Sequence, residues 1–347
     1  MMSEMTGIDV KKIPLNDQRV ISLFTSDKAL ERNGNYLGER TGAIGLPEFG
    51  TQTGMDILRD ANPKSFADLV AIAGLAHGTD VWANNARDLI VKQGMTLRDV
   101  IGCRDDIMTY LINKDIPSNI AFAVMEDVRK GRKVKPEYEA VLRAKNVPDW
   151  YIDSCNKIKY MFPKAHAVAY VTMAVRVGWF KIYRPLEFYA TWFTARAKAY
   201  DIEAMLGGLE SMIKRYEEIK LKKQARTEKL TPKEENIAAM LIIAIEMAER
   251  GFKFKTVDLY KSHATEFVVD TEDGSLIPPF IVIDGLGEAA AQSVVDARKN
   301  GKFTSKEDLL RRTKLSSTNV DDLSSIKALE GLGESDQMSL FEFGLDM

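Results

Sequence analysis

Almost no stretch before residue 250 alternates apolar with polar residues, so that part of the chain cannot supply strands with one buried and one solvated face. It must bury its apolar surface with helices. From Asn62 the helical pattern is continuous. Ser65 stands where it can cap PKSFADLVAIAGLAHG, in which Phe66, Leu69, Ile72 and Leu75 recur at helical spacing. Further amphipathic segments follow: ANNARDLIVKQG, LRDVIGCRDDIMTYLINK, NIAFAVMEDVRKG, PEYEAVLRAK, and Trp150 through Met161. The longest are AVAYVTMAVRVGWFKIYR and PLEFYATWFTARA, separated at Pro185, which cannot continue a helix.

Glycines and prolines dominate residues 1–60, where GAIGLPEFGTQTG is a loop signature. A second unit begins near Asp201 with the helical segments IEAMLGGLESMIKRYEEIKLKK and PKEENIAAMLIIAIEMAERG. The one β region, FKFKTVDLYKSHATEFVVDTEDGSLIPPF, carries a turn at Asp273-Gly274. The fold class read from these patterns is mainly α with a small β region, and 347 residues suffice for two or three domains.

Composition excludes several classes. No apolar run is long enough to span a membrane, and MMSEMTGIDVKK has no apolar signal core, so a cytoplasmic protein without membrane partners is expected. Cys103 and Cys155 cannot make a disulfide framework or a zinc knuckle, and His77, His166 and His263 lack metal-ligand spacing. The net charge of -2 hides unlike segments: RKGRKVK at 129–135 and KRYEEIKLKK at 214–223 are basic, whereas Glu330 to Asp346 holds no cation. Such runs are most often solvated faces, yet local patches, not the sum, decide phosphate binding.

Three motifs carry chemistry. Tyr151 to Arg176 packs Lys157, Lys159, Lys164, His166 and Arg176 among Tyr160, Phe162 and Tyr170. Cations beside rings suit a nucleotide end, but aromatics at helical spacing also serve as core, and the residues alone leave both readings open. Ile281 to Arg298 fits a helix-hairpin-helix: Gly285 and Gly287 permit a tight turn with backbone N–H groups facing outward at a helix start, with Arg298, Lys299 and Lys302 just beyond. That arrangement suits a DNA phosphate and reads no bases, and the alternative is a hairpin used only for packing. A partner hairpin at Leu315 to Leu329 has the helix but no glycine turn, and is expected to complete the fold. In the tail, Gln337-Met338-Ser339-Leu340-Phe341 is a short peptide able to plug an apolar groove. Asp105 and Asp106 in GCRDD point about 100 degrees apart on a helix, which disfavours a shared metal ion and leaves an ion pair with Arg104.

Taken in order, LPEFGT, GLAHGTDVW, IGCRDDIM, WYIDSCNKIKYMFPKAHAVAYV, FKFKTVDLYKSHATEFV, LIPPF and GLG closely resemble the C-terminal part of the PolC-type DNA polymerase III alpha subunit of Gram-positive bacteria, in the bacterial replicative C-family. The resemblance runs from about Met5 to Phe341. It implies the end of the palm and its junction at 1–60, a helical fingers domain at 61–205, a duplex-binding domain with helix-hairpin-helix motifs at 206–330, and a flexible tail at 331–347. It further implies that Lys164 and His166 contact the triphosphate of an incoming dNTP and that Tyr170 stacks on the nascent base pair. Arg104, Arg129 and Lys130 would add positive charge, and Gly285, Gly287, Arg298, Lys299 and Lys302 would meet duplex DNA. Gln337, Ser339, Leu340 and Phe341 would bind the sliding clamp. Met338 stands where leucine is common, and six residues follow Phe341 where the family is expected to stop close to it. The palm aspartates that hold Mg2+ belong upstream in such enzymes. No catalytic residue, metal ligand or cofactor is therefore expected in this chain, which should bind but not polymerise without the remaining polymerase domains. A second function class stays open: a non-catalytic, DNA-binding scaffold tethered to the clamp.

Overall fold

The computed structural model describes residues 1–225 and 229–335, so the Gln337–Phe341 peptide lies outside the described residues. The chain forms two compact units. One comprises Asp9–Glu31 and Gly38–Tyr183, and the other Met1–Ile8, Arg32–Leu37 and the chain from Arg184 onward. This division differs from the segment boundaries expected at residues 60 and 205. Part of the glycine-rich N-terminal stretch packs with the helices up to Tyr183, and residues 184–205 pack with the C-terminal half.

In the first unit the helices Gln52–Ala61, Phe66–His77, Arg87–Gln93, Arg104–Asn113, Ser118–Arg129, Pro136–Ala144, Asp149–Lys157 and Lys164–Tyr183 follow in chain order. The Ser65 hydroxyl accepts the Asp68 amide, capping Phe66–His77 as its sequence position implies. Ile107, Leu111, Val124, Val128, Leu142, Ile152 and Cys155 bury together as the core of this unit. The GAIGLPEFG loop is tied to the long Lys164–Tyr183 helix from inside. Lys181 is fully buried, and its ammonium donates to the carbonyls of Gly42 (2.9 Å) and Ile44 (2.5 Å). An ammonium survives burial when carbonyl oxygens replace its water shell.

Two helices are shorter than their patterns suggest. The segment from Leu97 becomes helical only at Arg104, because Asp106 folds back to accept the amides of Gly102 (3.3 Å) and Cys103 (2.8 Å) and so fixes the helix start. The helix expected to reach Met161 ends at Lys157, since the chain beyond it pairs with Thr79.

In the second unit, Pro185 opens the helix Pro185–Ala195. The helix expected from Ile202 is broken into Ile202–Leu206 and Gly208–Ala225, with Gly208 at φ 78°, a conformation glycine adopts without strain. The following helix, Pro232–Glu249, is exposed at its start and buried along most of its length from Met240, where it includes two buried carboxylates, Glu246 and Glu249. The β region is small: β1 (Lys253–Phe254), β2 (Val268–Asp270) and β3 (Ser275–Ile277) make a sheet in the order β1-β3-β2. β3 pairs parallel to β1 and antiparallel to β2, and Gly274 at φ 68° makes the β2–β3 turn. The helices Glu288–Ala297, Lys306–Arg312 and Ser317–Ser325 complete the unit. Among the described residues no helix is long and apolar enough to cross a membrane.

Candidate nucleotide and nucleic-acid interface

Within the first unit, residues 158–163 form an extended bridge between a helix that has ended and one about to begin. The bridge is fixed by backbone bonds. Thr79 N–H donates to the Tyr160 carbonyl (2.9 Å), Lys159 N–H to the Thr79 carbonyl (3.0 Å), and Arg104 N–H to the Phe162 carbonyl (3.3 Å). Close glycine contacts seal it. A Cβ at Gly131 would lie 2.5 Å from the Lys159 oxygen, and one at Gly78 would lie 2.9 Å from the Tyr160 oxygen. The turn that follows Arg129 and Lys130 therefore lies directly against the bridge.

The bridge delivers the chain into the Lys164–Tyr183 helix, whose first turn contains no acidic residue. Phe162, His166 and Tyr170 stand four residues apart and share a face. The Phe162 ring lies 5.6 Å from His166, 6.0 Å from Tyr170 and 5.0 Å from His77, centroid to centroid. His77 in turn lies 6.1 Å from Tyr170, and its Nε2 is 2.7 Å from a Glu48 carboxylate oxygen. Phe162 and His77 thus back the rings of His166 and Tyr170. His166 is exposed and Tyr170 half-buried. The four-residue spacing of Phe162, His166 and Tyr170 was visible in the sequence as a signal. The part played by His77 was not, because it sits 85 residues before Phe162.

Lys164 opens this helix, Arg129 and Lys130 precede the Gly131 turn that packs on the bridge, and each of the three pairs with a carboxylate. Lys164 donates its Nζ to Asp106 (2.9 Å) and its amide to Asp105 (2.8 Å), and half of its side chain remains exposed. The hydrogen bond and charge of Asp106 raise the Lys164 ammonium above the ordinary lysine value, so it is charged at neutral pH. Arg129 forms a two-pronged pair with Glu126 (Nη2 to Oε2, 2.8 Å), and Lys130 reaches the same carboxylate at 3.0 Å. These two cations pull the Glu126 carboxyl down to about 2.

The ion pair expected between Arg104 and its neighbouring aspartates is marginal, at 4.0 Å to Asp105. Asp105 and Asp106 instead hold Lys164, and Asp106 also caps its own helix, a role sequence inspection missed because Lys164 lies 58 residues beyond Asp106. Cys103, buried beside Asp106, has its thiol pushed up to about 12 by burial first and that carboxylate second.

Within the second unit the glycine turn takes the form its sequence implies. Gly285 has φ 73°, and Gly287 is the N-terminal cap of Glu288–Ala297; both face open space. No side chain caps this helix. The contrast with its neighbours is informative, since Ser305 caps Lys306–Arg312 and Ser316 with Asn319 forms a reciprocal cap on Ser317–Ser325. The first helix of this set thus presents amides at its start that no cap occupies, while the partner hairpin has closed its own. Glu288 and Asp284 bring negative charge to this end, and Lys233 balances Asp284 at 2.6 Å.

Arg298 turns inward. Its guanidinium donates to the carbonyls of Leu259 (3.0 Å) and Ser262 (2.7 Å), and burial lowers it from the ordinary arginine value. Of the expected cations here, Lys299 and Lys302 are the exposed ones, Lys299 pairing with Asp296 at 2.8 Å. Arg312 stitches the hairpins together by donating to the carbonyls of Ala297 (2.6 Å), Gly301 (2.9 Å) and Lys302 (3.0 Å).

Two family models match separate parts of the chain. Residues 1–145 match the family model described as bacterial DNA polymerase III alpha subunit finger domain, a match that runs through the stretch expected to be palm and junction. Residues 251–338 match a helix-hairpin-helix motif. The chain is 50% identical over 341 residues to DNA polymerase III PolC-type of Clostridium perfringens, and 48% identical over the same length to those of Oceanobacillus iheyensis and Bacillus subtilis. In each case 98% of this chain is covered, but only 23–24% of the relative, so the chain spans about a quarter of the length of the curated relatives it matches. The chain belongs to the PolC-type DNA polymerase III family, as a mostly helical segment that pairs the finger domain with a helix-hairpin-helix region.

Proposed function

We infer that this chain supplies the nucleotide-gripping and duplex-holding parts of a replicative DNA polymerase. The observation that carries the duplex reading is the glycine turn at Gly285–Gly287 opening a helix whose first amides no side chain caps. Backbone N–H groups at a helix start bind a phosphate irrespective of the base, and Lys299 and Lys302 add charge nearby. Lys299→Glu together with Lys302→Glu is expected to weaken binding of blunt duplex DNA by roughly tenfold or more at low salt. Unchanged affinity, measured by fluorescence anisotropy on a variant with a wild-type circular dichroism spectrum, would remove these residues from the interface.

The nucleotide reading rests on the head of the Lys164–Tyr183 helix. A triphosphate there would take up Lys164 in exchange for Asp106, with His166 alongside and the Arg129–Lys130 turn adding charge. Tyr170, backed by Phe162 and His77, would receive the nascent base pair. When bound in the complete enzyme, Mg2+ would supply charge neutralisation for phosphoryl transfer. Among the described residues no three His, Cys, Asp or Glu side chains gather to hold an ion. Polymerisation is assigned to the chain acting together with the remaining polymerase domains.

The Gln337–Phe341 peptide is proposed to tether the enzyme to the sliding clamp. Deleting residues 337–347 is expected to abolish a clamp complex on size-exclusion chromatography while leaving duplex affinity unchanged, and a complex that survives the deletion would place the contact elsewhere.

A further inference from the structure

A second surface in the C-terminal unit has the makings of a nucleic-acid contact that the glycine turn does not explain. A groove of about 570 Å3 runs between the chain following β1 and the chain following the last helix, Ser317–Ser325. Lys255, Lys261, Lys302 and Lys327 line it, as does Tyr260. Tyr260 is 41% exposed, and it is held in place: its hydroxyl accepts the Phe303 amide (3.1 Å). Lys302 Nζ stands 5.9 Å from its centroid, and Phe303 lies behind at 6.3 Å.

The carboxylates here do not cancel the lysines uniformly. Asp270 and Asp273 neutralise Lys255, at 2.7 and 3.1 Å. Asp258 accepts the amides of Tyr260 (2.7 Å) and Lys261 (2.9 Å). Lys261 has only Asp270, at 3.9 Å, and neither Lys302 nor Lys327 has a carboxylate within ion-pair distance among the described residues. Glu330 is the remaining acidic side chain lining the groove, and it is exposed.

A ring held by its hydroxyl, partly exposed, with one lysine against it and further lysines lining the same groove, suits a base and its flanking phosphates. A duplex hides its base faces except at its ends, so the ring selects an unpaired base. We propose that this groove binds single-stranded nucleic acid, with one base stacked on Tyr260 and the flanking phosphates held by Lys261, Lys302 and Lys327. The inference rests on the reading of this unit as DNA-binding, and its test separates the two.

The probes are a blunt duplex and the same duplex carrying a short oligothymidine overhang, compared by fluorescence anisotropy with the full chain. Wild type is expected to bind the overhang probe at least about fivefold more tightly than the blunt one. Tyr260→Ala should erase that advantage while leaving blunt-duplex affinity intact, and Tyr260→Trp should preserve it. Because Tyr260→Ala also removes the acceptor for the Phe303 amide, the surface variant Lys261→Glu with Lys327→Glu provides an independent check and should likewise lower the overhang advantage. An overhang advantage that survives both variants, or none in wild type, overturns the proposal. Lys299 lies outside the groove lining, so loss of blunt-duplex binding on Lys299→Glu alone would bear only on the glycine-turn interface.

Discussion

Replacing Glu249 with alanine is expected to cost the C-terminal unit about 3–5 kcal/mol, the largest effect of any single change considered for this chain. Glu249 ends the buried Pro232–Glu249 helix and holds residues 32–37 from three directions. Its carbonyl accepts the Asn33 amide (2.7 Å), one carboxylate oxygen accepts the Tyr36 amide (2.6 Å), and the other meets Arg32 (3.2 Å). Both side chains of the ion pair are 2% exposed. Removing the carboxylate takes one partner from a buried guanidinium and the acceptor from the Tyr36 amide, and breaking a buried pair in this way costs more than the pair itself contributes. Glu249→Gln should lie between alanine and wild type, since it keeps an acceptor but not the charge. Urea titration measures the effect; a loss below about 1 kcal/mol for Glu249→Ala would show that water enters the site and that the pair behaves as a surface one.

The second large effect concerns nucleotide. In a complete polymerase carrying this segment, Lys164→Ala is expected to raise the KM for dNTP roughly thirtyfold, the equivalent of about 2 kcal/mol for a charge-assisted hydrogen bond to phosphate. Affinity for primer-template should stay as in wild type, because Lys164 belongs to the helical unit and not to the glycine turn. Arg129 and Lys130 share Glu126 at the surface, so neutralising either should have a smaller effect. Steady-state primer extension reads both quantities. A dNTP KM within about twofold of wild type would assign the phosphate to other cations.

Much of the helical scaffold was legible because its signals are local. Pro185 divides two helices, Ser65 starts one, and Asp273-Gly274 turns between two strands, each through chemistry confined to a few residues. What escaped inspection depends on distant partners. The helix from Asp149 stops at Lys157 because the next residues pair with Thr79, and the segment from Leu97 waits for Arg104 because Asp106 ties down the chain before it. Gly207-Gly208 was a visible break signal inside an otherwise helical pattern, and the periodicity around it concealed the break.

The site divides along the same line. Phe162, His166 and Tyr170 advertise a shared face by spacing alone, whereas His77 behind them, and Asp105 and Asp106 on Lys164, come from far along the chain. Arg298 shows the limit of reading charge as function. It looks like a phosphate ligand in sequence, but carbonyls of Leu259 and Ser262 take its guanidinium.

The role proposed for the C-terminal unit requires that this chain hold DNA through backbone and lysine contacts that ignore sequence. The direct measurement is the affinity for two blunt duplexes of unrelated sequence across a salt series from about 50 to 200 mM. The account predicts equal affinities for the two and a linear fall on a double-logarithmic plot, with a slope of about -2 to -4 for the few phosphates this surface can engage. A slope near zero, or a strong preference for one sequence over the other, would contradict it.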